Sequence, residues 1–260
     1  MTNKMFTDNL EEYDNPVVYD IENNAYVGEL PLLLEWASKK DGPIIDLACG
    51  TGRITIPLAN KGYNLIGVDL HAGMLELAKK KMEESNLQIE WITQDCAQLD
   101  LNYKSPLIYM VGNSIQHFHT NESQNQLLTS IHRHLMEDGI FIFGTRFPSA
   151  EELLQPSTEE YWKTYKDITC HKEVDVYTIS NYDALSQIQH YTTIRKFKNE
   201  DSNVVDEKRT KISLRYTYPK EMERTLFQNG FDILHVYKDW NGTPISNDSY
   251  EIIYVCGKAK

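Results

Sequence analysis

The sequence predicts an α/β protein: a doubly wound sheet of seven strands with its last hairpin antiparallel, and a small antiparallel β cap inserted before the last helix. Three observations predict it. Short apolar runs alternate with segments of helical period from Pro43 to Thr145. The first run, Ile44, Ile45 and Leu47, enters a tight turn with Gly50 and Gly52, and apolar residues then recur as Ile54, Leu58 and Ala59. Beyond Ala150 the pattern changes to alternation of period two, as in Tyr191-Thr192-Thr193-Ile194-Arg195-Lys196-Phe197.

The 260 residues, 41% of them hydrophobic, suffice for one large domain or one domain with a small addition. A net charge of −12 argues against nucleic acid and anionic membrane surfaces as partners, because both demand a basic face. The first thirty residues hold no apolar core of signal-peptide type, and no later run approaches membrane-spanning length. Cys49, Cys96, Cys170 and Cys256 form no C-x-x-C pair, so neither a zinc ribbon nor a disulfide framework is expected. The expectation is a cytoplasmic monomer or homodimer.

Taken in order, residues 1–27 are polar and aromatic and precede a helix over Gly28–Lys40, whose Leu30, Leu33, Leu34 and Ala37 face inward. The turn after the first strand reads D-L-A-C-G-T-G. A dinucleotide fingerprint would need a third glycine where Thr55 stands, and a phosphate loop would need a lysine after its last glycine. Asp46 would repel phosphate but can accept hydrogen bonds from an ammonium group. The second strand ends at Asp69, where nucleotide-binding sheets place an acid for ribose hydroxyls. Leu70 and Met74 follow as an apolar flank, and a helix runs over Ala72–Ser85. The third strand, Leu87–Thr93, leads into Gln94-Asp95-Cys96-Ala97.

The D-L-A-C-G-T-G turn and the acids at three successive strand ends, Asp46, Asp69 and Asp95, resemble the class I S-adenosylmethionine (SAM) dependent methyltransferases. The likeness spans about residues 28–147 and 219–258 and implies a Rossmann-like sheet. It implies that Asp46, Ala48, Gly50, Gly52 and Arg53 surround the amino-acid end of SAM. Asp69 would take the ribose, Leu70 and Met74 the adenine face, Asp95 the adenine amine, and the backbone of Cys96 a ring nitrogen. The N-P-P-Y type of motif used on nucleobases and protein amides is absent after the fourth strand, Leu107–Val111. The G-N-S-I-Q-H-F segment there instead looks like the loop of bacterial small-molecule methyltransferases.

In that loop Asn113 and His117 are the candidates beside the transferred methyl, with His119 a substrate contact. A metal is not expected, because His117 and His119 lack further ligands, and His132 and His134 lie about 200° apart on a helix. Asn121 and Gln124 suggest a capping box for the helix to Met136. Glu137-Asp138-Gly139 suggests a turn into the strand Ile140–Thr145, and Arg146 at its end could hold a substrate group. The N-terminal segment of similar enzymes folds over the cofactor, which makes Tyr13 and Tyr19 candidates for the acceptor side.

Glu151–Lys166 suggests a helix broken at Pro156, and three strands follow at Ile168–Ser180, Ser186–Phe197 and Lys208–Tyr218. This cap, expected over the carboxyl ends of the main strands, offers Tyr191 and Arg195 to a substrate. Pro219 opens the last helix, and Phe231–Trp240 and Tyr250–Gly257 form the final hairpin. The expected division is a lid at 1–27, a SAM-binding domain at 28–149 and 218–260, and a cap at 150–217. The expected reaction moves a methyl group from SAM to a small-molecule acceptor, in the first instance an amine, leaving S-adenosylhomocysteine. The alternatives are O-methylation of a small hydroxyl or carboxyl compound, an NAD(P)-dependent oxidoreductase, and a catalytically silent SAM-binding regulator.

Overall fold

The computed structural model describes residues 9–167 and 170–259, so part of the N-terminal segment and the first two residues of the first expected cap strand, Ile168 and Thr169, lie outside the described residues. The chain divides into two units, Tyr26–Phe147 with Tyr216–Lys260 and Met1–Ala25 with Pro148–Arg215.

In the larger unit, β1 (Ile44–Leu47), β2 (Leu65–Asp69), β3 (Ile89–Thr93), β4 (Ser105–Met110), β5 (Leu135–Arg146), β10 (Phe231–Tyr237) and β11 (Glu251–Lys258) form one sheet in the order β10-β11-β5-β4-β1-β2-β3. This is the expected seven-stranded sheet. β1 pairs in parallel with both β2 and β4, through Ile44↔Leu65 and Ile44↔Leu107. The chain reverses strand order there, and the crevice beyond the carboxyl ends is where such sheets bind ligands. β11 runs antiparallel to β5 with Glu251 opposite Arg146, so the start of β11 reaches the same edge.

All residues of β1 and β4 are buried, as in parallel strands covered on both faces. On one face Leu33 and Ala37 of α2 (Leu30–Ala37) and Leu58 of α3 (Thr55–Asn60) pack with Ile44, Ile142, Ile253 and Trp240. Phe141, Phe143 and Tyr254 stack in a row, at 4.9 Å and 5.2 Å between ring centres. Between β2 and β3 runs α4 (Ala72–Glu84), capped by His71, whose Nδ1 accepts from the Met74 N–H.

Two local expectations change. Helix α5 (Asn121–His134) is capped by Thr120 and Ser123, which bond each other's backbone N–H at 3.0 and 3.1 Å, while Gln124 reaches Thr217. β5 begins at Leu135, five residues before the expected start. The Glu137–Gly139 turn is absorbed as an irregularity between the pairs Ser105↔Leu135 and Leu107↔Ile140.

The smaller unit is a four-stranded antiparallel sheet, β6 (Glu160–Lys166), β7 (Glu173–Asp183), β8 (Ile188–Lys198) and β9 (Val204–Arg215). The expected helix over Glu151–Lys166 is one turn, α6 (Ala150–Leu153), before Pro156, and then a strand. In Glu160–Lys166 the aromatic and β-branched residues Tyr161, Trp162, Thr164 and Tyr165 favour the pleated form. Helix α1 (Pro16–Asn23) belongs to this unit and docks on its sheet, as described below.

Candidate functional site

The turn after β1 holds three residues in left-handed conformation: Ala48 at φ 54°, Gly50 at 56° and Gly52 at 78°. A Cβ on Gly52 would lie 2.8 Å from the Trp91 ring, so this backbone is packed to the limit glycine allows. Asp69 fixes the turn from the neighbouring strand. Its Oδ2 accepts from the Gly50 N–H at 2.7 Å and its Oδ1 from the His71 N–H at 2.8 Å. Burial raises its pKa, and the two backbone N–H groups oppose that rise. Each oxygen keeps acceptor capacity for a hydroxyl.

Asp95, past β3, is half-buried; its Oδ1 accepts from the Ala97 N–H at 2.8 Å. Cys96 is buried, and burial pushes its thiol well above the usual range. Leu70 is 41% exposed beside Asp69. Met74 is 2% exposed and packs beneath Gly50, so it is a core side chain rather than an open apolar flank.

Asp46, expected against a ligand ammonium, ends its strand inside the protein. It is fully buried: Oδ2 accepts from Thr55 Oγ1 at 2.6 Å and Tyr109 OH at 2.9 Å, and Oδ1 is buried without a hydrogen-bond partner. Burial pushes its pKa up to about 7 against the two hydroxyl donors. Through these bonds it ties β1 to the start of α3 and to β4.

Arg53 is also drawn inward. Its guanidinium forks onto Glu29, with Nη1 to Oε2 at 2.9 Å and Nη2 to Oε1 at 2.6 Å, and it bonds the Tyr26 carbonyl. Glu29 is 2% exposed and carries no sequence motif, so only its partner reveals it. This ion pair ties the entry of α2 to the glycine turn.

At the end of β4, Asn113 sits in left-handed conformation at φ 58°, and its Oδ1 is buried without a hydrogen-bond partner. His117 closes the short 3₁₀ turn that follows. Burial, and then the charge of His119, push its pKa down to about 4, so it is neutral near pH 7. Arg146 ends β5 opposite Glu251, whose Oε1 accepts from the Trp240 indole N–H at 3.0 Å. Sequence reasoning misses Glu251 and Trp240, which only the β5–β11 register brings to this edge.

In the smaller unit Arg195, expected as a substrate contact, is 4% exposed and its nitrogens are all engaged within the protein. Nε and Nη2 fork onto Glu22 at 2.7 Å each, Nη2 also reaches Glu12 at 2.8 Å, and Nη1 donates to Thr210 at 2.7 Å. Tyr191 OH donates to Glu152 at 2.8 Å. Tyr13 and Tyr19 lie with ring centres 5.5 Å apart. Among the described residues no group of three His, Cys, Asp or Glu could hold a metal ion, and no helix is long and apolar enough to cross a membrane.

Comparison with known proteins bears on the domain and the fold. A methyltransferase-domain family model matches residues 44–139, the stretch from β1 to the bulge in β5. A putative methyltransferase of Bacillus subtilis (strain 168), YqeM, is 26% identical over 94% of this chain and 95% of its own length. A SAM-dependent methyltransferase from Clostridium acetobutylicum superposes with a TM-score of 0.78 at 22% identity, covering 94% of this chain and 97% of that one. CalS10 from Micromonospora echinaspora, a SAM-bound amino pentose methyltransferase, superposes at 0.72 with 12% identity, covering 94% and 97%. With the glycine turn braced by Asp69 and the strand reversal at β1 and β4, residues 44–139 are a methyltransferase domain, set in the fold that SAM-dependent methyltransferases share.

Proposed function

We propose that the acceptor is a small-molecule amine, methylated on nitrogen by in-line displacement. The buried Asn113 Oδ1 at the strand end takes no hydrogen bond and supports an acceptor that carries a donor hydrogen; the absence of any need for a strong base favours nitrogen over a hydroxyl. SAM brings a methyl group already activated by its sulfonium charge, so the protein's task is mainly alignment and exclusion of water. Such alignment can lower a barrier by about 7–11 kcal/mol. A neutral amine needs little base catalysis.

In this reading the backbone of the Ala48–Gly52 turn takes the amino-acid end of SAM, Asp69 the ribose hydroxyls and Asp95 the adenine amine. The Cys96 N–H takes a ring nitrogen, and Leu70 flanks the base. Asn113 and the neutral His117 lie nearest the transferred methyl, with His119 and Arg146 beside the acceptor. The four free cysteines favour a reducing, cytoplasmic setting.

Calorimetric titration of SAM and S-adenosylhomocysteine tests the cofactor roles. Asp69→Ala and Asp95→Ala are each expected to weaken binding by about 1–3 kcal/mol, the worth of a charge-assisted hydrogen bond. Unchanged affinity in both variants would remove these assignments. Transfer of labelled methyl from SAM to a panel of small amines, with matched alcohols beside them, tests the acceptor class; label in alcohols alone would exclude the amine reading.

A further inference from the structure

Glu251 stands out among the charged side chains of the larger unit because its charge is left unmatched where it is half-buried. It begins β11 opposite Arg146, at the same sheet edge as the glycine turn and the end of β4. Its Oε1 is held by the Trp240 indole at 3.0 Å, a neutral donor that fixes the carboxylate without cancelling its charge. Trp240 is itself 3% exposed, so the anchor is rigid. The neighbouring carboxylate, Glu29, has the Arg53 fork, whereas Glu251 makes no ion pair among the described residues.

The surroundings sharpen the point. Burial is the largest influence on Glu251 and raises its pKa; the charges of Glu29 and Asp239 act in the same direction, and Arg146 acts against them. A half-buried anion beside other anions is costly unless a cation arrives. The Trp240 N–H alone does not call for a carboxylate, because an amide oxygen would satisfy it equally. The negative charge is thus surplus to packing and suits a positive ligand.

We infer that Glu251 receives the positive charge of the methyl-transfer site, on the sulfonium before transfer and on the acceptor nitrogen after it, and so selects amine acceptors. This rests on the methyltransferase reading above and specifies its acceptor side. The nitrogen lone pair forms the new N–C bond while the C–S pair stays on sulfur, giving the neutral thioether. Positive charge moves to nitrogen, whose extra proton leaves to Glu251 or to water. A fixed carboxylate stabilises that developing charge without having to reorganise. Asn113 Oδ1, at the adjoining strand end, supplies a second acceptor for an N–H.

The probes are S-adenosylhomocysteine, neutral at sulfur, and sinefungin, which carries an ammonium where SAM carries its methyl-sulfonium. Both are titrated calorimetrically into the wild type, Glu251→Gln and Glu251→Asp. The wild type is expected to prefer sinefungin. Glu251→Gln, which keeps an acceptor for Trp240, is expected to cut that preference about tenfold while S-adenosylhomocysteine binds within twofold of wild type. Glu251→Asp, which keeps the charge but withdraws it by one methylene, should fall between, and it reads the same ratio should the Gln variant not fold. An unchanged preference, or equal weakening of both ligands, would overturn the inference. Failure of S-adenosylhomocysteine to bind the wild type would instead overturn the cofactor reading beneath it.

Discussion

Asp46 in the larger unit and Arg195 in the smaller one are both buried, and the sequence casts both as ligand contacts. The structure answers their charges differently. Asp46 receives two hydroxyl donors and no cation, so burial wins and its pKa rises to about 7. Arg195 receives two carboxylates and a threonine, so it stays charged despite burial and binds α1 to β8. Burial with neutral donors makes a group that titrates near neutrality, whereas burial with full counter-charge makes a permanent clamp.

The comparison breaks most visibly at Arg195. Arg195→Met leaves Glu12 and Glu22 buried without a cation and is expected to cost about 3–5 kcal/mol of stability by urea unfolding. Combining it with Glu12→Gln and Glu22→Gln should restore a large part of that loss. Equal instability of the single and triple variants would show that packing, not charge, holds the segment.

Asp46 should reveal itself through pH. Its folded pKa of about 7 lies above the ordinary 3.8, so the folded chain binds the proton more tightly. Stability from this group is therefore fully present below pH ~4, falls as pH rises towards 7, and is level above that. Wild type is expected to lose roughly 2–4 kcal/mol more than Asp46→Asn between pH 4 and 8, read from urea midpoints at matched m-values. Parallel pH curves would mean that Asp46 does not titrate in this range.

The smallest effect is expected at Ala48, whose φ of 54° is strained for a residue with a Cβ. Ala48→Gly should raise stability by about 0.5–1 kcal/mol in the same measurement, after the larger unfolded-state entropy of glycine is deducted. A loss of stability would mean that the alanine methyl is needed for packing.

Much of the larger unit was legible because its signals are local. Apolar runs of strand length, the two glycines of the first turn and the acids that close the first three strands are each read within a few residues, and the doubly wound class follows from them. What was not legible depends on remote partners. Asp46 faces inward because of Tyr109, 63 residues away, and Arg195 because of Glu22, 173 residues away. Glu251 belongs to the edge only through pairing with β5, 105 positions earlier at Arg146. The Glu160–Lys166 strand read as helix because its alternation is weak and its pairing partner, β7, lies beyond a turn.

The clamp on Arg195 also bears on how the chain is made. Glu12 and Glu22 are synthesised well before their cation, which comes 173 residues after Glu22. At about 5–20 residues per second, a ribosome leaves those two carboxylates waiting on the order of ten seconds or more for their partner. Over that interval the β1–β5 portion of the larger unit is completed, so the segment that carries Glu12 and Glu22 gains its clamp only after those strands have been made.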